Sequence, residues 1–282
     1  VEAQIEACAT LAPLHNPANL MGIRALAVLA PELPQYASFD TAFHATNPAL
    51  ATTYALPADE RARGLRRYGF HGLSYAAIVR KVKEISENDL PDRLLVFHLG
   101  NGASACAIQN GQSVASTMGY SPLDGLTMGT RAGGLDPAVV LDLAARHGVD
   151  ATARLLNRKS GLLGLAGAAD MRALQTSATR DTTFARDHFA YWAARHAGSL
   201  MVAMGGLDAI VFTGGIGEKD AAIRAAILDR LAFAGVRYDP ARNASGAPEM
   251  HEPHSHVAIW IVPADEERQI ALEAMTLREG RA

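Results

Sequence analysis

The amino-acid sequence predicts an α/β protein with a mixed or parallel sheet. Three features support this class: short apolar segments typical of buried strands, longer segments with apolar residues at helical spacing, and glycines at the junctions between them. Because strand-like and helix-like segments alternate along the chain, we expect helices to cover the sheet.

The strands are predicted from apolar runs that end in turn residues. Asn110-Gly111 separates two such runs and is a strong signal for a two-residue hairpin. Other runs end in glycine or proline, which favours the end of a strand. The predicted strands cover residues 94–99, 103–108, 113–117, 208–213 and 257–262.

Two long helices are predicted from the spacing of apolar residues. Residues 188–204 carry one such pattern, and residues 218–234 carry another that ends at Gly235, a typical C-terminal cap. Residues 243–256 are rich in Ser, Gly, Pro and His, so we expect a surface loop there.

The composition excludes several classes of partner. The 282 residues are 49% hydrophobic and 20% charged, with a net charge of −3, so no electrostatic footprint for nucleic acid or an anionic membrane is present. Cys8 and Cys106 are distant and form no C-x-x-C pattern, which favours a reducing, cytoplasmic location. The most apolar long stretch, residues 200–216, is interrupted by two glycines and an aspartate, so we expect no membrane span.

Two glycine-rich segments follow predicted strands and are candidate phosphate- or nucleotide-binding loops. In Gly100-Asn101-Gly102, the missing side chains let backbone N–H groups approach an anion closely. In residues 213–218 a strand passes through glycines into a helix, whose N-terminus would favour an anion. Neither segment matches a Walker loop or a dinucleotide-binding fingerprint, so tight turns required by packing are the alternative.

Four sites along the chain carry residues suited to phosphoryl transfer, which needs cations near the phosphate oxygens and carboxylates that hold Mg²⁺. Asp40 and the Glu266-Glu267 pair could bind the metal, Arg131 could bind a phosphate through two hydrogen bonds, and His71 could donate one. Each has a structural alternative. Asp40 could be a cap or turn residue, the Glu pair a favourable charge at a helix start, His71 a structural hydrogen-bonding residue and Arg131 half of a surface salt bridge.

Seven motifs occur in a fixed order along the chain. They are residues 13–17 (PLHNP), 39–44 (FDTAFH), 66–72 (RRYGFHG), 98–102 (HLGNG), 128–131 (MGTR), 160–165 (SGLLGL) and 212–218 (FTGGIGE). In sequence and in order these motifs resemble those of the acetate kinases, and the resemblance extends from about residue 13 to the carboxy terminus. Several of the motifs are long and specific, so chance does not explain the match.

The resemblance implies the actin-like ATPase (ribonuclease H-like) fold that acetate kinases share with sugar kinases, heat-shock chaperone ATPases and actin. In this fold two related α/β lobes hold the nucleotide between them. Residues 40–266 would form the carboxy-terminal, nucleotide-binding lobe. Residues 1–39 and 267–282 would be the remnant of an amino-terminal lobe that is largely missing.

The resemblance also assigns roles to individual residues. Asp40 and Glu266 would serve Mg²⁺ or Mn²⁺, and Asp40, His71 and Arg131 would be the catalytic residues, the last two stabilising the planar phosphoryl group. The ATP contacts would be His98, Asn101 and Gly102 at the phosphates, and Asp170, Met171, Arg172, Gly214, Gly215, Ile216 and Gly217 around the adenosine. His15 and Pro122 would approach the acetate.

Some features depart from the family pattern. Tyr75 replaces a histidine, Lys219 an asparagine, Gly134 an aspartate and Asp265 an asparagine. The family's amino-terminal phosphate loop, Asn-x-Gly-Ser-Ser-Ser, and an arginine that binds the carboxylate would both precede Val1. We therefore expect the 282-residue chain to form a homodimer and bind ATP without measurable phosphoryl transfer, and the apolar faces of its terminal helices to be exposed.

The resemblance predicts reversible, Mg²⁺-dependent phosphoryl transfer from ATP to acetate, giving acetyl phosphate and ADP. Propionate or butyrate kinase is an alternative of the same class, because those relatives share most of the motifs. A truncated paralogue that binds nucleotide or dimerises but transfers nothing is an alternative of a different class.

Overall fold

The computed structural model describes residues 1–9, 16–86 and 89–280, and the chain divides into two compact units. One unit consists of residues 1–39 with 270–282, and the other of residues 40–269. The strands are β1 (Arg93–Leu99), β2 (Ala103–Gln109), β3 (Gln112–Ser116), β4 (Ala209–Thr213) and β5 (Ala258–Ile261). The α-helices are α1 (Glu2–Ala7), α2 (Asn16–Leu29), α3 (Ala49–Thr52), α4 (Ala58–Ala62), α5 (Gly72–Ile85), α6 (Pro137–His147), α7 (Val149–Arg158), α8 (Gly161–Ala166), α9 (Met171–Thr176), α10 (Arg180–Met204), α11 (Gly214–Lys219), α12 (Ala221–Arg230), α13 (Pro240–Ser245) and α14 (Glu266–Arg278), with 3₁₀ turns at Ala42–Thr46 and Ala232–Ala234.

The larger unit is built on one mixed sheet with the strand order β3-β2-β1-β4-β5. β1 is antiparallel to β2 and parallel to β4, while β4 and β5 are also parallel. β2 and β3 form the predicted hairpin, in which Asn110 (φ 51°) and Gly111 (φ 80°) both adopt the left-handed conformation that a type I′ turn needs. The predicted strands are therefore present at nearly their predicted positions.

Each face of the sheet is covered by helices. Phe97 of β1 and Phe212 of β4 stack with ring centroids 5.3 Å apart, on the face that α10 covers. On the opposite face, Val96 packs against Ile78 and Val82 of α5. Burial on both faces makes β1 and β4 rigid supports for whatever lies at their carboxyl ends.

Two predicted helices differ from those observed. α10 begins at Arg180, well before residue 188, because the Thr179 side chain and Thr182 form a reciprocal capping box. The single helix predicted over residues 218–234 is wrong: α11 begins at Gly214 and ends before Asp220. There the chain becomes extended (φ −102°, ψ 90°), and the Asp220 carboxylate accepts the N–H of Ile223 to start α12.

The surface loop predicted over residues 243–256 is also partly wrong. Asn243 lies in α13 and is buried, and Met250 is fully buried in the core. The backbone N–H of Met250 donates to the carbonyl of Ile259 in β5 at 2.9 Å. The prediction failed because it rested on the many small polar residues of this segment, whereas the buried Met250 side chain anchors it to the sheet.

The smaller unit leaves much of its apolar surface uncovered, as expected. Among the described residues of α1 and α2, only Leu20 is buried, whereas Val28 is 81% exposed. Ile5, Ile23 and Phe39 line a shallow apolar pocket within this unit. In the part of the chain that the structure describes, no helix combines the length and the apolar character needed to cross a membrane.

Gly161, at the start of α8, provides a test of the packing around residues 128–131. Its φ of +62° is left-handed, and an added Cβ would lie 2.6 Å from the Arg131 carbonyl oxygen and closer still to that of Met128. We expect Gly161→Ala to lower the free energy of unfolding by about 1–3 kcal/mol, measured by urea denaturation, because strain and steric overlap act together.

The control is Gly198→Ala. Gly198 lies within α10, and nothing lies within 4 Å of an added Cβ there. Alanine at this position should instead stabilise the protein by about 0.5–1 kcal/mol through its higher helix propensity. Equal effects of the two substitutions would contradict the close approach of residues 128–131 to Gly161.

Candidate active site

A row of polar side chains crosses the sheet where β1 and β4 end. His98 of β1 is paired in register with Ser104 of β2 and with Thr213 of β4. Because side chains alternate along a strand, these three residues lie on the same face as Val96, the face that α5 covers. The start of α5 therefore meets a polar row and not the apolar core.

Asp40 holds the start of α5. Its carboxylate accepts the backbone N–H of His71 at 2.6 Å and, at a longer 3.4 Å, that of Leu73, while its carbonyl accepts the N–H of Gly72 at 2.8 Å. These contacts satisfy N–H groups that a helix start otherwise leaves unpaired. Asp40 therefore does cap a helix, as the structural alternative predicted. The same contacts place its carboxylate beside His71, so the capping role does not exclude a role in the site.

The His71 ring is fixed on two sides by the polar row. It stacks on the His98 ring with centroids 4.3 Å apart and planes 28° apart. Its Nδ1 forms a hydrogen bond of 2.8 Å with Ser104 Oγ, and Ser104 Oγ is also hydrogen-bonded to Tyr75 Oη. The ring is therefore oriented by its own helix and by the sheet.

His98 is held as a neutral imidazole. Burial, and secondarily the nearby His71, lower the pKa of His98 to about 3. Its Nδ1 lies 2.8 Å from Ser74 Oγ, and Ser74 also hydrogen-bonds to the Glu266 carboxylate. Because a carboxylate can only accept, the Ser74 hydroxyl donates to Glu266, and His98 Nδ1–H donates to Ser74.

Glu266 and Asp40 form a pair of like charges. Burial, followed by the charge of Asp40, raises the pKa of Glu266, although its hydrogen bond from Ser74 acts in the opposite direction. A divalent cation between two such carboxylates relieves both effects. No group of three or more acidic, His or Cys side chains suited to a metal occurs in the described segments, so this pair would need phosphate oxygens and water to complete the octahedral shell of Mg²⁺.

The Arg131 guanidinium lies at the same site, beside His71. Its Nη1 donates to the Pro122 carbonyl at 2.6 Å. A Cβ added to Gly102 would lie 2.5 Å from Arg131 Nη2 and 3.4 Å from His71 Nε2, so both groups lie against this glycine. Burial lowers the pKa of Arg131, but a guanidinium remains charged in proteins. The salt-bridge alternative is wrong, since Arg131 pairs with no carboxylate of the described residues.

Backbone hydrogen bonds fix the loop of residues 128–131 that carries this arginine. The N–H of Gly129 donates to the Asn101 carbonyl, and the N–H of Leu162 in α8 donates to the Met128 carbonyl, both at 2.9 Å. The loop is therefore held between the first glycine segment and the start of α8. Asn101 itself is exposed beside this junction.

Comparisons with known proteins establish which family this arrangement comes from. A model of the acetokinase family matches residues 1–272 of the chain. The chain belongs to the acetokinase family. It is 48% identical to an acetate kinase from Rhodopseudomonas palustris (strain ATCC BAA-98 / CGA009), over 99% of this chain and 72% of that protein. It is 43% identical to an acetate kinase from Lachnoclostridium phytofermentans, over 97% of this chain and 72% of that protein.

Solved structures of the acetokinase family have the same fold. A propionate kinase from Francisella tularensis matches with a TM-score of 0.92 and 39% identity, over 96% of this chain and 72% of that one. An acetate kinase from Porphyromonas gingivalis matches with a TM-score of 0.91 and 39% identity, over 98% and 72%. The predicted α/β fold is confirmed, and the chain spans about 72% of the length of these relatives.

The second glycine segment of this acetokinase lies next to the first. A Cβ on Gly214 (φ +78°) would lie 2.8 Å from the Leu99 carbonyl oxygen, so α11 begins against the end of β1. At the start of α11 the Gly214 N–H donates to the Glu218 carboxylate at 3.1 Å, so this one N–H group is already occupied, and the predicted anion site at the helix start stays a prediction. Gly215 is exposed, and nothing lies within 4 Å of an added Cβ, so a large group can approach it.

The residues predicted around the adenosine are divided between surface and core. Asp170 caps α9 by accepting the Arg172 N–H at 2.9 Å, and its carboxylate pairs with the exposed Arg172 guanidinium at 2.7 Å. The Met171 side chain is buried in the core and is not available to a ligand. His15, predicted to approach the acetate, lies outside the described residues.

Two arginines, the partly buried Arg186 and the buried Arg224, hold this region together, and sequence reasoning missed both. Arg186 of α10 pairs with Asp220 at 2.9 Å and contacts the Met171 carbonyl at 3.5 Å, so it links the start of α9 to the end of α11. Arg224 is 1% exposed and donates to the carbonyls of Gly217 and Glu218, both at 2.9 Å, at the end of α11. One signal was available: Arg224 precedes Ile227, Leu228 and Leu231 at the spacing of a single buried helix face.

His44 is a further residue that sequence reasoning missed. It is buried, with Nδ1 2.8 Å from Ser113 Oγ and Nε2 2.9 Å from the Phe70 carbonyl oxygen, immediately before His71. A Cβ on Gly69 would lie 2.5 Å from the His44 ring, so the chain passes closely over it. His44 thus connects the backbone just before His71 to Ser113 of the β2–β3 hairpin.

Some departures from the acetokinase pattern have partners in this chain. Asp265, one of the expected departures, pairs with Lys81 at 3.4 Å and Arg80 at 3.5 Å of α5. A Cβ at Gly134 would lie 3.6 Å from an Asp124 carboxylate oxygen, so an aspartate there would face a like charge. Nothing in the structure explains Lys219, which is exposed.

The raised pKa of Glu266 predicts a pH-dependent stability difference. A carboxyl whose pKa is raised by folding destabilises the folded state once it ionises, so its cost appears as the pH rises through the ordinary and then the raised value. We expect Glu266→Gln to raise the melting temperature at neutral pH in metal-free buffer. The difference should disappear under acidic conditions, where the wild-type carboxyl is protonated in both states.

Glu267→Gln is the matched control for this measurement. Glu267 is exposed at the adjacent position of α14, so its substitution should change stability by less than about 0.5 kcal/mol at any pH. If Glu266→Gln lowered the melting temperature at neutral pH in metal-free buffer, the assigned like-charge pair of Glu266 and Asp40 would be incorrect.

Proposed function

We propose that this member of the acetokinase family transfers the γ-phosphoryl group of ATP to acetate, reversibly, giving acetyl phosphate and ADP. The observation that carries the proposal is the convergence of the Arg131 guanidinium and the His71 imidazole on Gly102, with the Asp40 and Glu266 carboxylates at the same sheet edge. Curated relatives named acetate kinase, at 43–48% identity over nearly the whole chain, support the same activity.

Arg131 and His71 are proposed to stabilise the phosphoryl group in transit. In phosphoryl transfer the charge spreads over the three equatorial oxygens, and positioned donors do most of the catalytic work. Arg131 is already oriented by the Pro122 carbonyl, and His71 by its stacking on His98, so neither needs to reorganise during the reaction. Their preorganisation is the main physical support for the proposed role.

Asp40 and Glu266 are proposed to hold Mg²⁺, or Mn²⁺ in its place. A bound divalent ion would offset the negative charge of the ATP phosphates. Asp40 has little freedom to move, because its carboxylate accepts N–H groups at the start of α5. Glu266 is held by the hydroxyl of Ser74. The two carboxylates would therefore present fixed oxygens to the ion.

ATP is proposed to lie along the two neighbouring glycine segments. Asn101 and Gly102 would contact its phosphates, and the exposed backbone around Gly215 would face the adenosine. His98, predicted to contact the phosphates as well, donates its ring proton to Ser74, so it would lie beside the phosphates without donating to them. The remaining proposed adenosine contacts are Gly214, Ile216, Gly217, Asp170, Arg172 and the backbone of Met171. Support for this placement comes from the direct contact between the start of α11 and the end of β1. Residues 40–266 would then be the nucleotide-binding lobe of a cytoplasmic homodimer.

The acyl substrate is proposed to bind near Pro122, whose carbonyl accepts the Arg131 guanidinium. Propionate is the second candidate substrate, because the chain is as similar to a solved propionate kinase as to a solved acetate kinase, at 39% identity each. The two acids differ by one methylene, so a small change in the apolar lining of a pocket exchanges their preference.

Arg131→Ala tests the proposed catalytic arrangement. We expect kcat to fall by about 10²–10³-fold in an acetyl phosphate assay with MgATP, because removing a preorganised donor to transition-state charge typically costs that much. The assay uses the complete product of the gene. Arg146→Ala, which removes an exposed arginine of α6, is the control and should leave kcat unchanged. Wild-type turnover by Arg131→Ala would overturn the assignment.

The ratio of kcat/KM for acetate and propionate tests the acyl specificity. One methylene in an apolar pocket is worth about 1–3 kcal/mol, or 10- to 200-fold, so we expect measurable activity on both acids. The preferred acid identifies the substrate for which the pocket is shaped. Complete rejection of one acid would show that the pocket discriminates by more than apolar contact.

A further inference from the structure

A chain of buried hydroxyl groups leads from α5 to the His71 ring. Tyr75 is fully buried, and its Oη is hydrogen-bonded to Ser104 Oγ. Ser104 Oγ is in turn 2.8 Å from His71 Nδ1. A serine hydroxyl has one proton, so Ser104 can donate to only one of these two neighbours.

The Tyr75 phenol determines which groups donate and which accept in this chain of hydroxyl groups. Burial raises the pKa of Tyr75 well above its ordinary value, so the phenol keeps its proton. Phe43 and His44 pack around the Tyr75 ring, with centroids 6.3 and 5.7 Å away, and restrict its movement. Within the described part of the chain, Ser104 Oγ is the acceptor that this proton reaches.

The opposite direction would leave a buried donor unsatisfied. If His71 Nδ1–H donated to Ser104, one hydroxyl proton would have no acceptor among these groups: that of Tyr75 if Ser104 donated to the phenol, or that of Ser104 if it accepted from both neighbours. A buried donor without an acceptor loses its hydration without compensation. The favoured chain therefore runs from Tyr75 to Ser104 to His71 Nδ1, which leaves the ring proton of a neutral His71 on Nε2.

We propose that Tyr75 and Ser104 are positioning residues that fix the Nε2–H tautomer of His71. The consequence for catalysis rests on the proposed function: Nε2 is the nitrogen that lies against Gly102 beside Arg131, so its proton would be on the side where the phosphoryl oxygens are proposed to pass. The geometry thus gives a role to Tyr75, which the resemblance indicated as a departure from the family pattern.

Nitrogen NMR of the histidine side chains tests the tautomer directly. In ¹⁵N-histidine-labelled wild-type protein at neutral pH, we expect His71 Nδ1 to have the chemical shift of an unprotonated ring nitrogen and Nε2 that of a protonated one. His71→Gln assigns the signals by their loss. In Tyr75→Phe the phenol proton no longer polarises Ser104 as a donor to Nδ1, so the preference for the Nε2–H tautomer should weaken and the spectrum should shift toward the other tautomer.

Tyr238→Phe is the matched control, since it removes a hydroxyl that is bonded to Asp229 and takes no part in the chain. It should leave the His71 signals unchanged. A protonated Nδ1 in the wild-type protein would overturn the proposal, and so would a Tyr75→Phe spectrum identical to the wild-type one. Neither outcome depends on enzymatic activity, so failure here is distinct from failure of the proposed function.

Turnover gives the second readout. We expect Tyr75→Phe to lower kcat by about 10-fold with the KM for ATP unchanged, a smaller loss than the ~10²–10³ expected when a donor is removed outright, because the Nε2–H tautomer remains partly populated. Tyr238→Phe should keep wild-type kcat. A shifted tautomer together with unchanged kcat would support the hydroxyl chain and would overturn the catalytic role of His71.

Discussion

The attachment of the Asp40 carboxylate to the start of α5 is the interaction on which the rest of the site depends. It stabilises a left-handed backbone at His71 (φ 58°), a conformation that costs a non-glycine residue about 1–2 kcal/mol. With that turn fixed, Ser74 and Tyr75 on the first turn of the helix reach His98 and Ser104. One carboxylate therefore helps to position His71, Ser74 and Tyr75 against the side chains of the sheet, and any ion bound to it would be coupled to the helix start.

Close backbone approach is the second constraint, and glycines make it possible. Gly102 allows the Arg131 guanidinium to lie against the end of β1, while Gly161 allows the loop of residues 128–131 to rest on the start of α8. Since a Cβ at either position would overlap these neighbours, the arginine could not reach the polar row with side chains there. Gly102 and Gly161 thus act by allowing other parts of the protein to approach their backbone.

The sequence was sufficient to predict what depends on local pattern. The strands, the Asn110-Gly111 hairpin and the α/β class follow from periodicity and turn chemistry, whereas the break at Asp220 was missed because apolar spacing continues through it. The site residues came from resemblance, and their assigned roles stay predictions. The hydroxyl chain from Tyr75 was not predictable, because it depends on the register that pairs Ser104 with His98. The buried position of Arg224 was also missed, but it was predictable, because its spacing from Ile227, Leu228 and Leu231 places it on the buried face of a helix.

Charge balance connects these contacts to the chemistry. Without a metal, the site contains two carboxylates and one guanidinium, and the His98 beside them is kept neutral by burial. This leaves one net negative charge, which would repel the phosphates of ATP, and a divalent cation reverses its sign. In the proposed hydroxyl chain Nδ1 of His71 accepts from Ser104, so Nε2–H would add a hydrogen bond at the phosphoryl group without adding charge. Among the described residues, Arg131 would then be the one positively charged side chain at the transferring group. Because the Pro122 carbonyl fixes its guanidinium, the developing negative charge of the phosphoryl oxygens would be stabilised at that position.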